Sequence, residues 1–117
     1  MENVVIPEQL VRVAREDRRP LGFFALTGNW LEQLYVDPDD QGRGVGRLLL
    51  EEAKRLSPDG LSLYVFTRNG QARRFYEAAG FMLTAQSDGT RNEEREPDCL
   101  YRWRPAPNKN SRGSLGR

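Results

Sequence analysis

Residues 30–56 read WLEQLYVDPDDQGRGVGRLLLEEAKRL, and the hydrophobic period changes inside this stretch. Trp30 to Val36 is of strand length and ends at Asp37-Pro38, where proline blocks continued pairing and favours a turn. From Val45 the apolar residues Val45, Leu48, Leu49, Ala53 and Leu56 fall at helical spacing, with Arg47, Glu51, Glu52, Lys54 and Arg55 largely on the other face. Ser57-Pro58-Asp59-Gly60 ends that helix. Between strand and helix lies Gln41-Gly42-Arg43-Gly44-Val45-Gly46. Unpaired N–H groups at a helix start favour an anion, and glycines let a phosphate come close. Tight packing of the turn is the other use such glycines have.

Upstream, Val11 and Val13 open a short alternating run that stops at EDRRP; LGFFALT (21–27) then gives a second strand, closed by Gly28-Asn29. These runs and WLEQLYV make an antiparallel meander. Downstream, LSLYVF (61–66) is apolar enough to suggest a strand buried on both faces. Ala72, Phe75, Tyr76 and Ala79 form an i, i+3, i+4, i+7 stripe on a helix from Asn69 to Ala79, with Gly80 as its stop. FMLTAQS (81–87) and DCLYRW (98–103) are two last strands joined by DGTRNEEREP in a long hairpin. The expected class is α+β, a mixed sheet in the order βββαβαββ, with no internal repeat.

The 117 residues suit one domain, expected over 1–103. RPAPNKNSRGSLGR (104–117) is rich in Pro, Gly, Ser and Asn and suggests a disordered basic tail. Its four cations are unaccompanied by acids, so the net charge of +1 becomes −3 for residues 1–103, and that body carries no electrostatic footprint for nucleic acid. No apolar run reaches the roughly 20 residues of a membrane span. MENVVIPEQL lacks the features of a signal peptide, so no membrane association and a cytoplasmic setting are expected. Histidine is absent, which excludes Ser-His-Asp and Cys-His catalysis; the single cysteine, Cys99, reads as a buried, inert side chain, and no metal site is expected.

Two nucleotide motifs fail at the glycine turn. A Walker A loop needs Gly-Lys-Ser/Thr, and Gly46 is followed by Arg47-Leu48. The dinucleotide fingerprint needs a third glycine at Arg47 or Leu49 and a βαβ unit rather than a meander.

The pattern Q-x-x-G-x-G after LYVDPDD resembles the acyl-CoA signature of the GNAT superfamily of N-acetyltransferases. NGQARRFYEAAGF (69–81) resembles a second GNAT block, an asparagine before a helix that carries a tyrosine seven residues later and ends in Gly-Phe. The resemblance covers roughly Leu10 to Trp103. It implies that Leu34, Tyr35 and Val36 pair through main chain with the pantetheine of acetyl-CoA. It further implies a pyrophosphate site on the turn from Gln41 through Gly42, Arg43, Gly44, Val45, Gly46 and Arg47, with charge-assisted contacts from Arg43 or Arg47. Asn69 would bond the pantetheine, and Ala72, Arg73 and Phe75 would line the far wall or the nucleotide end. Tyr76 is the implied general acid for the departing thiolate, since a phenol with a reference pKa near ~10 is protonated at neutral pH.

Some GNATs carry a carboxylate base at the position of Tyr64, which this chain lacks. Glu32 is the nearest candidate base, and water or capture of a neutral amine would need none. The acidic stretch Glu93, Glu94, Glu96 and Asp98 suits either a solvated hairpin tip or attraction of a cationic amine. Complete GNATs carry a strand and helices before the meander, so the resemblance implies an N-terminally shortened member and a possible homodimer. The implied function is acetyl transfer from acetyl-CoA to an unidentified amine acceptor, without a metal; the alternative is an acyl-CoA-binding module without transferase activity.

Overall fold

The computed structural model describes the backbone of residues 2–6, 9–90 and 92–106, and side chains from residue 9 onward. A seven-stranded sheet runs in the order β1-β2-β3-β4-β5-β7-β6. Its strands are β1 (Glu2–Ile6), β2 (Gln9–Glu16), β3 (Arg19–Thr27), β4 (Trp30–Val36), β5 (Leu61–Phe66), β6 (Met82–Ser87) and β7 (Asp98–Trp103). The helices are α1 (Val45–Arg55) and α2 (Gly70–Ala78). The α+β class and the expected order hold, with one strand more: Glu2 to Ile6 pairs antiparallel with β2 ahead of the meander. ENVVI is too short, and too close to VRVARE, for its period to stand out in the sequence. Of the expected tail, residues 107–117 lie outside the described residues.

In the buried cluster Leu49, Leu50 and Ala53 of α1 meet Phe24, Leu26 and Leu31 of the meander and Leu61, Leu63 and Tyr101 of the other half, while α2 packs its half-buried Ala72, Phe75 and Tyr76 against it. The helices sit side by side, Lys54 Nζ donating to the Ala79 carbonyl at 2.6 Å. In α1 the buried stripe is Val45, Leu49, Leu50 and Ala53, while Leu48 is 55% exposed, so the helix is rotated from the expected set to bring Leu50 inward. β5 is likewise not covered on both faces. Leu61, Leu63 and Val65 face the helices, whereas Tyr64 on the opposite face is 61% exposed, because both helices pack on one side of it.

The feature that positions the site is the junction of the two halves. β4 and β5 form the sheet's parallel pair, and their register is limited to Trp30 opposite Ser62. A bulge helps to separate them: Ala25 pairs with Gln33 and Leu26 with Leu31, leaving Glu32 as the extra residue of β4. An unpaired residue bends its strand and increases the twist. From Leu31 to Val36 the edge of β4 that faces β5 therefore opens, while its other edge stays paired to β3 as far as Gly22 opposite Val36. Gly22 is required there, since a Cβ would come 2.3 Å from the Tyr35 carbonyl oxygen.

Candidate active site: a cleft between split strands

The opening between β4 and β5 leads into two hollows of about 560 and 500 Å³ that share Leu34, Asn69, Ala72 and Tyr76. The first, between the strands, also has Glu32, Tyr35, Leu63 and Tyr64 on its walls. The second runs to the glycine turn and includes Val36, Gln41, Gly42, Gly44, Gly46, Arg47 and Phe75. Residues 30 positions and more apart thus meet along one groove, with main chain on one wall and α2 on the other.

At the groove's far end stands the N-terminus of α1. Gly44 is its N-cap at φ 84°, with no side-chain capping bond and no acid in the first turn. The first helical hydrogen bond is donated by the Leu48 amide to the Gly44 carbonyl at 3.0 Å. The amides of Val45, Gly46 and Arg47 precede that bond and carry the positive end of the helix dipole. Acetyl-CoA, which the glycine pattern implies, fits this arrangement: a pyrophosphate requires converging donors and little side-chain bulk, and Gly46 lies between Val36 and Phe75 where a Cβ would touch both at 3.5 Å.

Not all of the expected ligands face the groove. Val45 is buried in the core, so it offers its amide alone. Arg43 turns its guanidinium back to Asp40 Oδ1 at 2.7 Å and Glu16 Oε2 at 3.2 Å, while Arg47 borders the cleft. The Arg73 side chain also points elsewhere. Its Nε donates to the Tyr101 hydroxyl at 3.0 Å and its Nη1 to the Thr67 carbonyl, and Tyr101 in turn donates to Glu77 Oε2 at 2.5 Å. This triad, in which Tyr101 is buried and Glu77 exposed, ties α2 to β7 and had no local signal in the sequence, since its members are 24 and 28 residues apart. Asn69 has a second duty unforeseen in the sequence: its Oδ1 accepts the Ala72 amide at 3.1 Å and caps α2, leaving its side-chain NH₂ for a ligand.

Tyr76 lies where both hollows meet, with its ring edge-on to Phe75 at 5.1 Å and to Phe81 at 5.5 Å between centroids. Burial pushes its phenol up to about 12. Its hydroxyl has no hydrogen-bond partner among the described residues. A protonated, unengaged O–H at the junction of two hollows is suited to give a proton to a leaving group. Glu32, at the bulge, is exposed and borders the same hollow. On the helix-free face Tyr64 stacks on Trp30 at 5.2 Å, and it also lines a separate hollow with Phe66, Glu94 and Asp98. Cys99 is fully buried in β7, 3.4 Å from the Thr67 hydroxyl. No cluster of potential metal ligands occurs among the described residues, and no helix is long and apolar enough to cross a membrane.

A profile of the acetyltransferase (GNAT) domain matches residues 7–83. The peptidyl-lysine N-acetyltransferase YjaB of Salmonella typhimurium is 42% identical over 84 residues, 71% of this chain and 57% of that protein. The chain thus spans little more than half of this relative's length. The solution structure of apo-form YjaB from Escherichia coli superposes with a TM-score of 0.70 at 35% identity, over 84% of this chain and 65% of that one. The PaiA N-acetyltransferase of Thermoplasma acidophilum, in complex with coenzyme A, gives 0.70 at 25% identity, over 84% and 62% of the two chains. With split strands, an uncapped helix start behind the glycine turn and a matching profile over most of its core, the chain belongs to the GNAT family of acetyltransferases.

Proposed function

We propose that the protein transfers the acetyl group of acetyl-CoA to a primary amine, and that the acceptor is a lysine side chain of a peptide. The observation that carries this reading is the continuous groove from the amides at the start of α1, along the open edge of β4, to the Tyr76 hydroxyl. The lysine acceptor rests on the likeness to the Salmonella peptidyl-lysine N-acetyltransferase. The turn from Gly42 to Arg47 would hold the pyrophosphate, and Leu34 to Val36 would pair with the pantetheine through main chain. Asn69 NH₂ would bond the same arm, with Ala72 and Phe75 as its apolar wall.

In the transfer the amine nitrogen forms the new amide bond as the C–S bond breaks. Tyr76 gives its hydroxyl proton to the departing sulfur, and Glu32, directly or through water, takes the proton the amine loses. Tyr76 then regains a proton from solvent and Glu32 releases one to it, which restores the site. Calorimetry with acetyl-CoA, followed by mass spectrometry of lysine peptides incubated with both, tests the reading. Acetyl-CoA binding with no transfer to any amine in a broad panel would leave a binding module. Absence of binding would remove the reading altogether.

A cytoplasmic setting and a homodimer go with this proposal. The dimer is supported by the apolar side chains of Met82 and Leu83, 73% and 43% exposed on the edge strand β6. Sedimentation equilibrium giving a monodisperse 13.4 kDa species would remove the dimer.

A further inference from the structure

Between Asp37 and Gly44 one residue is buried, and it is charged: Asp40, 1% exposed. Its carboxylate takes a two-pronged bond from Arg19, with Nη1 to Oδ2 at 2.6 Å and Nη2 to Oδ1 at 2.8 Å, and a third from Arg43 Nη1 at 2.7 Å. Glu16 closes a ring, accepting from Arg19 at 3.4 Å and from Arg43 at 3.2 Å. Two cations and two anions thus join the tip of the β2–β3 hairpin to the glycine turn. Asp40 also holds the turn through main chain, its carbonyl accepting the Arg43 amide at 3.3 Å.

Before the glycines the chain is held by the Asp37 carboxylate accepting the Asp39 amide at 2.9 Å and by Gln41 Nε2 donating to the Val36 carbonyl at 3.4 Å, but the glycines themselves are held by little else. A Cβ on Gly42 or Gly44 would meet nothing within 4 Å, both glycines have positive φ, and α1 carries no side-chain cap. A buried ion pair is weak evidence for stability, because desolvation cancels much of its attraction, and its best-attested use is to select one geometry. The forked Arg19 contact fixes orientation as well as distance. The ring is also neutral overall, so it holds the turn without placing an uncompensated acid beside a phosphate.

We propose that Asp40 is the positioning residue of the anion turn: by taking both Arg19 and Arg43 it holds the α1 amides convergent for a pyrophosphate and keeps Arg43 as a strut rather than a phosphate ligand. This rests on the acetyl-CoA reading above. The test is calorimetry of acetyl-CoA, and of S-acetylpantetheine, which has no pyrophosphate, with wild type, Asp40→Asn and Arg43→Gln across a range of salt. Asp40→Asn is expected to weaken acetyl-CoA at least tenfold and S-acetylpantetheine less than twofold, whereas a merely structural defect would weaken both. Arg43→Gln, whose guanidinium is half exposed, keeps the test open if Asp40→Asn does not fold. It should weaken acetyl-CoA severalfold while the salt dependence stays that of wild type. Unchanged affinity in both variants overturns the proposal. So does tighter, more salt-sensitive binding by Asp40→Asn, or a shallower salt dependence in Arg43→Gln, since either makes Arg43 a ligand. Wild type that fails to bind acetyl-CoA would instead sink the parent reading.

Discussion

Gly46→Ala separates a glycine kept for a ligand from one kept for packing. Gly46 is the second residue of α1 and is not among the glycines with positive φ, so alanine suits its backbone. The added Cβ would lie 3.5 Å from Phe75 Cζ, 3.5 Å from Val36 Cγ2 and 3.7 Å from Phe75 Cε1, all ordinary contacts. Alanine is favoured over glycine by at most about 1 kcal/mol within a helix, and less in its first turn. The thermal midpoint should therefore hold or rise, by no more than about 8 °C for a domain of this size. The new methyl nevertheless fills the gap between Val36 and Phe75, both of which border the groove. Overpacking by one methyl costs about 1–3 kcal/mol, which is about 5- to 150-fold in affinity. Calorimetry of acetyl-CoA beside a melting curve reads both quantities. A stable Gly46→Ala protein with wild-type affinity would refute the reasoning, because the ligand would then not pass between those two side chains.

Tyr76→Phe keeps the ring contacts, so acetyl-CoA affinity should stay within a few fold while turnover falls by ~10²-fold; unchanged turnover would return Tyr76 to a packing role. With its phenol at about 12, Tyr76 should remain a proton donor through pH 10, and a pH–rate profile should show no loss from its ionisation below that. The same raised value favours the folded state's neutral phenol, so stability is present below the ordinary tyrosine range and falls as pH rises from about 10 towards 12. Alkaline melts of Tyr76→Phe should lose that component. At the acid end, hydrogen bonds from Arg19 to Asp40 and from Arg55 to Glu52 hold both carboxyls below their ordinary range. Their contribution is complete above the unfolded carboxylate pKa near ~4 and is lost as pH falls through the lower folded values, so Glu52→Gln should flatten the acid limb of a pH–melting plot. Phe24→Ala, at a fully buried position, should cost about 3–5 kcal/mol in denaturant unfolding.

Local patterns carried most of the architecture into the sequence. The change of period at Val45, the Asp37-Pro38 stop and the Ala72–Phe75–Tyr76–Ala79 stripe are set by neighbours a few residues apart, and each became the expected element. The glycine turn and Asn69 were legible because anion binding and helix capping are properties of short segments. Distance along the chain decided what was not. Glu32 became a bulge because the pairing of β4 with β3 skips it, and the split of β4 from β5 exists because the two strands share one rung of register, Trp30 opposite Ser62. Arg43 and Arg73 looked like free cations beside the site until Asp40 with Glu16, and Tyr101 with Thr67, came within hydrogen-bond reach of them. A side chain's type is written in the sequence, but its partner is fixed by packing, since hydrogen bonds and burial act over a few ångströms of space rather than over residues of chain.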